Sequence, residues 1–305
     1  MNWFWIAIVG PILWSVGNHI DKILLAKYFK SAGVGALFVY SAAFSGFALP
    51  FIVWIEPDVL GGRIFPIIIL ILSGVLTAVA LALYLYALND SEATIVVPFF
   101  QLIPVFSFIF AYLLLGETLT PTQAIAGLII IGGAIILSFE LDEYDNKRYS
   151  IKWKFLLAMI GSACFFALYE VFFKMAAIEE NFWHAAFWNN LGIFAIGLLL
   201  MIFSKKVRNN FLNIIKNHKL NIFGLNLLNE MLALVGNMFV AFATLLAPIA
   251  LVGLTNAYQP IFVFIGGLIL TIYFPHITTE RITGRHLYQK VLAIGVIFAG
   301  SYLLF

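Results

Sequence analysis

The chain repeats one pattern from Met1 to Phe305: apolar runs of about 20 residues separated by short polar stretches. The run Ile67–Leu88, IIILILSGVLTAVALALYLYAL, carries no charge at all. A spanning helix needs about 20 such residues, whereas a membrane β-strand would alternate polar and apolar over about 10. The pattern therefore predicts an all-α polytopic membrane protein. Ten transmembrane helices are expected, over 3–27, 33–54, 65–87, 93–115, 121–139, 153–176, 185–203, 221–243, 247–273 and 289–305. The segments 140–151, 204–221 and 275–287 are expected to be the longer connecting loops.

The most polar window, LDEYDNKRYS at Leu141–Ser150, divides the spans into two sets of five. Residues 1–140 form a first unit, 141–150 a polar linker and 151–305 a second unit. The first span of each unit takes polar groups into its apolar run, as WSVGNHIDK (Trp14–Lys22) and FFALYEVFFK (Phe165–Lys174). The fourth spans share a late proline, Pro104 and Pro260. The fifth share Gly133 and Gly300, each followed four residues later by Leu. An odd number of spans per unit turns the second unit upside down, the plan of two inverted five-helix repeats common in secondary transporters.

Composition narrows the reading. Charged residues are 10% of the chain, against about 25% in soluble domains. One cysteine excludes an internal disulfide, and with five histidines it leaves no basis for a structural zinc site. A formal charge of +2, with Lys and Arg gathered in loops, offers no surface for nucleic acid. The start, MNWFWIAIVG, lacks the basic n-region and cleavage site of a signal peptide, and is expected to be the first span itself.

Loop charge sets an expected orientation. The loops after spans 1, 5, 7 and 9 hold Lys27, Lys30, Lys147, Arg148, Lys152, Lys154, Lys205, Lys206, Arg208, Lys216, Lys219, Arg281, Arg285 and Lys290, fourteen of the 17 Lys and Arg. The positive-inside rule puts that side in the cytoplasm and both termini outside.

The fourth and fifth spans carry a more specific signal. ATIVVPFFQLIPVFSFIFAYLLLGETLTPTQAIAGLIIIGGAIILSF, Ala93–Phe139, resembles the EamA branch of the drug/metabolite transporter superfamily. The matching elements are Pro104 and the apolar run after it, Gly116–Glu117, Leu119–Thr120, Gln123, Gly127 and Gly133. The second copy, QPIFVFIGGLILTIYFPHITTERI, keeps Pro260 and lacks the Gly-Glu pair. The resemblance implies a transporter of small metabolites, often an exporter. Family substrates run from amino acids to sugars, nucleosides, sugar phosphates and amphipathic compounds. It also implies cytoplasmic termini, opposite to the charge bias; the charges of this chain are weighted slightly above it.

Polar groups inside the spans are the candidate substrate or proton pathway, because an ionisable group at mid-helix costs roughly 2.5–3.5 kcal/mol on insertion scales. In span 1 these are Trp14, Asn18, His19, Asp21 and Lys22, which face either a cavity or the interface. In span 6 Glu170 lies at about the repeat position of His19, and Lys174, four residues on, is its alternative partner. Span 8 offers Asn226, Asn229, Glu230 and Asn237, as a pathway stripe or as helix–helix glue. Gln101 precedes Pro104, and Asn256, Tyr258 and Gln259 precede Pro260; such side chains line a ligand site or cover carbonyls that the prolines leave open. Glu117 is expected to accept amides at the onset of span 5, which Pro121 marks. Trp3, Trp5, Trp54, Trp153, Trp183 and Trp188 are expected in the interfacial belt.

The expected function is a secondary transporter, an exporter of amino acids or amine-bearing amphiphiles working by alternating access. The alternatives are an uptake or exchange carrier for sugars, nucleosides or other metabolites, and an intramembrane enzyme. No Walker motif, HExxH or GxSxG is present. No cofactor is expected. The expected partners are a small-molecule substrate, protons and the bilayer of the cell membrane, with the chain a monomer or weak homodimer.

Overall fold

The structure is a computed structural model that describes residues 2–24, 34–89, 97–138, 153–217, 221–273 and 284–304. A few side chains at helix ends, including those of Asp21 and Lys22, lie outside the described residues. Every regular element described is helical. Seven stretches are long and apolar enough to cross a bilayer: Asn2–Ile20, Gly35–Ile55, Ile64–Ala87, Trp153–Glu179, Phe182–Phe203, Gly224–Leu246 and Ile249–Tyr273. The fourth, fifth and tenth expected spans form shorter apolar helices, Phe99–Leu115, Pro121–Ile136 and Tyr288–Leu303. The chain is an integral, multi-pass helical membrane protein.

The first span is two helices, α1 (Asn2–Ala7) and α2 (Val9–Leu24). Pro11 has no N–H to return to Ala7, so the ladder is interrupted there. Then follow α3 (Val34–Ile55), a 3₁₀ turn at Pro57–Leu60, and α4 (Ile64–Asn89). A second 3₁₀ turn, Val97–Gln101, leads into α5 (Leu102–Leu115), and α6 spans Pro121–Ser138. The later elements are α7 (Trp153–Glu179), α8 (Phe182–Phe203), α9 (Lys205–Asn217) and α10 (Asn221–Leu246). The ninth span is again broken, into α11 (Ile249–Gly253), a 3₁₀ turn at Leu254–Tyr258 and α12 (Gln259–Tyr273); α13 is Gly284–Leu304.

Segment 204–221, expected as a loop, contains the 13-residue helix α9. Its apolar residues Val207, Phe211, Ile214 and Ile215 fall at helical spacing, a signal masked in a hydropathy reading by the polar residues between them.

The helices pack through small residues, as expected without a hydrophobic force between them in lipid. α2 packs on α10 and α12, α7 on α4 and α5, α3 on α8, and α6 on α13. A methyl group added at Gly133 of α6 would stand 2.8 Å from Ile297 Cγ1 and 3.2 Å from Ala293 O of α13. One added at Gly300 would stand 2.8 Å from Ile130 Cγ1 and 3.1 Å from Ala126 O. Ascending positions on one helix meet descending positions on the other, so the two run antiparallel, and the contact is reciprocal.

Candidate functional site

Both the fourth and ninth spans contain a 3₁₀ turn followed by a proline helix. The cause is local. Pro104 and Pro260 cannot donate to the carbonyls four residues back, those of Phe100 and Asn256. At the second break the Gln259 N–H takes Asn256 O instead, the tighter i−3 bond of a 3₁₀ turn. The two broken helices meet: a Cβ added at Gly253 would lie 3.3 Å from Pro104 Cβ.

Each 3₁₀ turn carries a buried amide with an unanswered oxygen. Gln101 is 3% exposed and Asn256 is 9% exposed. Neither Gln101 Oε1 nor Asn256 Oδ1 has a hydrogen-bond partner. Asn226 on α10 is fully buried, with both amide atoms unpartnered. A buried polar group left without a partner costs about 1–3 kcal/mol. Gln101, Asn226 and Asn256 each carry that cost in a buried position.

Along α5 the buried face reads Gln101, Pro104, Ser107, Ala111, at steps of three, three and four. Ser107 Oγ donates to Glu170 Oε2 of α7 at 2.6 Å. Glu170 does not pair with Lys174, the alternative that helical spacing offered. Lys174 Nζ turns to Glu117 Oε1 at 2.5 Å and donates to Ala247 O at 2.7 Å. Glu117 Oε2 accepts the Ile249 N–H at 2.8 Å, which corrects its expected role at span 5. That helix is capped by a reciprocal box: the Thr120 N–H donates to Gln123 Oε1 at 3.0 Å and the Gln123 N–H to Thr120 Oγ1 at 3.2 Å. Gly116, at φ +66°, makes the left-handed turn that ends α5 and frees Glu117 to leave it.

The other candidates separate into two groups. His19 Nε2 lies 3.1 Å from Val263 O, joining α2 to α12. Asn229 is buried against Gly17, and Glu230 accepts from Ser41 Oγ of α3. Asn18 and Gln259 are half-buried, and Asn237 is exposed, so the span 8 stripe ends at Glu230. Trp14 packs on Gly236 and the cluster around Val240 and Ala243. Tyr258 turns away from the breaks: its hydroxyl bonds Ser301, and its ring meets Phe4 edge-on at 5.7 Å. Trp5, Trp54 and Trp153 are exposed near helix ends. Trp188 instead is half-buried, with its N–H 3.0 Å from Val59 O. The described residues hold no group of His, Cys, Asp or Glu able to bind a metal.

Sequence reading missed Ser107 and Ser41. Both are single hydroxyls in apolar runs, and only the neighbouring helix shows what they bond.

Comparison with known proteins now bears on this geometry. A protein from Archaeoglobus fulgidus described as an uncharacterized transporter is 30% identical over 136 residues, 42% of this chain and 44% of that protein. The match thus spans less than half the length of this relative. A solved chain described only as the crystal structure of a protein covers 99% of this chain and 96% of its own, with a TM-score of 0.68 and 16% identity. It shows the same fold. The EamA-like transporter family model matches residues 1–139, so the first half of the chain is similar to that family.

Proposed function

We propose that the chain is a secondary transporter that moves small amine-bearing or zwitterionic metabolites across the cell membrane, as an exporter, by alternating access of two inverted halves. The two crossing broken helices with unanswered acceptors, Gln101 Oε1 and Asn256 Oδ1, carry this reading. Discontinuous helices that meet at mid-membrane are a recurrent way to build a substrate site. Buried acceptors call for a donor, and an ammonium group supplies three. Glu170 and Glu230 add negative charge, while no Arg lies within a span to attract phosphate.

The helix neighbours support inverted halves. Exchanging each span of the first half with its counterpart in the second turns the α2–α10 pair into α7–α4, and α2–α12 into α7–α5, all of which occur. The α3–α8 and α6–α13 pairs map onto themselves. Reciprocal contact between antiparallel helices fits a two-fold axis across the helices, which is an axis in the membrane plane. Protons are the proposed coupling ion, with Glu170 exchanging them.

Reconstitution into proteoliposomes with radiolabelled amino acids, nucleosides and sugar phosphates tests the proposal. Selective movement of an amine-bearing compound is expected. Selective movement of a sugar phosphate would overturn the electrostatic argument, and no movement of any class would count against transport itself.

A further inference from the structure

Helix α9 joins α8 to α10 with one residue, Ser204, between it and α8. Its sequence, KKVRNNFLNIIKN, has four basic and no acidic residues. So polar a helix cannot enter hydrocarbon, and the end of a spanning helix holds it at the bilayer surface. On its apolar side Val207 and Phe211 already meet protein. Val207 Cγ2 would stand 2.8 Å from a methyl group added at Gly35, and the Phe211 and Tyr40 ring centroids are 6.4 Å apart.

The basic residues divide by what they touch. Arg208 lies 3.5 Å from Met201 O and 3.4 Å from Ile202 O, so it closes the C-terminus of α8. Lys205, Lys206 and Lys216 are exposed and pair with no carboxylate among the described residues. Beside them Ile202, Phe203 and Leu212 are also exposed. Ammonium groups next to bare apolar side chains, on a helix held at the interface, match a molecule with an anionic head and acyl tails.

We propose that α9 is a binding site for anionic phospholipid, with Lys205 and Lys206 at one end and Lys216 at the other on headgroup phosphates, and Phe203 and Leu212 against the acyl chains. Each lysine at such a surface contributes about a fivefold gain in affinity. The site has a path to the membrane interior. α9 rests on Tyr40 of α3, whose neighbour Ser41 holds Glu230 of α10. Lipid bound here would therefore steady the turn of α3 that positions Glu230.

The test uses the full chain with Cys164→Ala and Leu212→Cys, labelled at position 212 with an environment-sensitive fluorophore. Phosphatidylglycerol is titrated into protein held in phosphatidylcholine vesicles. A saturable blue shift is expected, lost in K205Q/K206Q/K216Q and kept in K205R/K206R/K216R, which also controls for folding. Three outcomes would each overturn the proposal: the same titration in the glutamine variant, no shift in either charged form, or displacement by inorganic phosphate at matched ionic strength. None of these readouts depends on transport.

Discussion

Lys174 Nζ lies 2.5 Å from Glu117 Oε1, and the pair joins the end of α5 to α7 with side chains only 9% and 16% exposed. The same two residues also take up backbone groups at the start of α11, the Ala247 carbonyl and the Ile249 N–H. One ion pair thus fastens the first half of the chain to the second at the start of the broken ninth span. Breaking a buried pair strands a charge and costs about 3–5 kcal/mol, whereas replacing both partners is often near neutral. Lys174→Met is therefore expected to lower the unfolding temperature sharply, and Lys174→Met with Glu117→Gln to regain much of it. A double-mutant cycle read by thermal unfolding in detergent checks this; additive losses would show that the two groups act separately.

Gln101→Leu and Asn256→Leu should move stability and transport in opposite directions. Each removes an unanswered buried acceptor, worth about 1–3 kcal/mol, so unfolding is expected at higher temperature. If the acceptors hold substrate, transport falls in the same variants. A loss of both would identify the amides as ordinary packing.

Glu170→Gln keeps shape and hydrogen-bonding reach to Ser107 while removing charge. Transport is expected to lose its pH dependence or its turnover, with the protein still inserted. Ser107→Ala should retain the dependence and displace it along the pH axis, because the carboxylate loses the donor that favours its ionised form. Rate–pH profiles in proteoliposomes distinguish the two; an unchanged profile in Glu170→Gln would assign that residue to structure.

The basic side is expected to face the cytoplasm. Asn213 is exposed on α9 and suits a cysteine in the Cys164→Ala background. An impermeant maleimide added to intact cells should leave Asn213→Cys unlabelled until the membrane is opened. Labelling from outside would place both termini in the cytoplasm instead.

The glycine seam between α6 and α13 should respond alike from either side. Gly133→Val and Gly300→Val each force bulk against an isoleucine already at contact distance. Overpacking of this kind costs about 1–3 kcal/mol. Ile297→Ala should relieve the first variant and Ile130→Ala the second, as read by thermal unfolding. Relief by neither would mean that the backbone, not the isoleucine, sets the limit.

What the sequence could tell depended on how local the cause was. Pro104 and Pro260 disturb their own helices, and the breaks were legible from them. The span edges followed hydropathy within a few residues for α3, α4, α6, α7 and α8. Glu117 was misread because its partners, Lys174 and Ile249, are remote in sequence, and a cap at Thr120 and Gln123 already served the helix it precedes. Spacing offered Lys174 as an alternative partner for Glu170, yet spacing fixes only which residues share a face. Helix α9 was missed because its periodicity is amphipathic rather than continuous.

The seam has one more property. Ala126, Ile130 and Gly133 correspond to Ala293, Ile297 and Gly300 by a constant shift along the chain, which pairs Ala134 with Ser301. Ser301 bonds Tyr258 in the second 3₁₀ turn; Ala134 has no hydroxyl to offer the first. The first turn rests on rings instead, Phe99 against Phe155 and Phe100 against Tyr84. Rings slide more readily than a hydrogen bond stretches. The two 3₁₀ turns, which flank the contact between Gly253 and Pro104, are therefore secured unequally, one by a hydrogen bond and the other by ring packing.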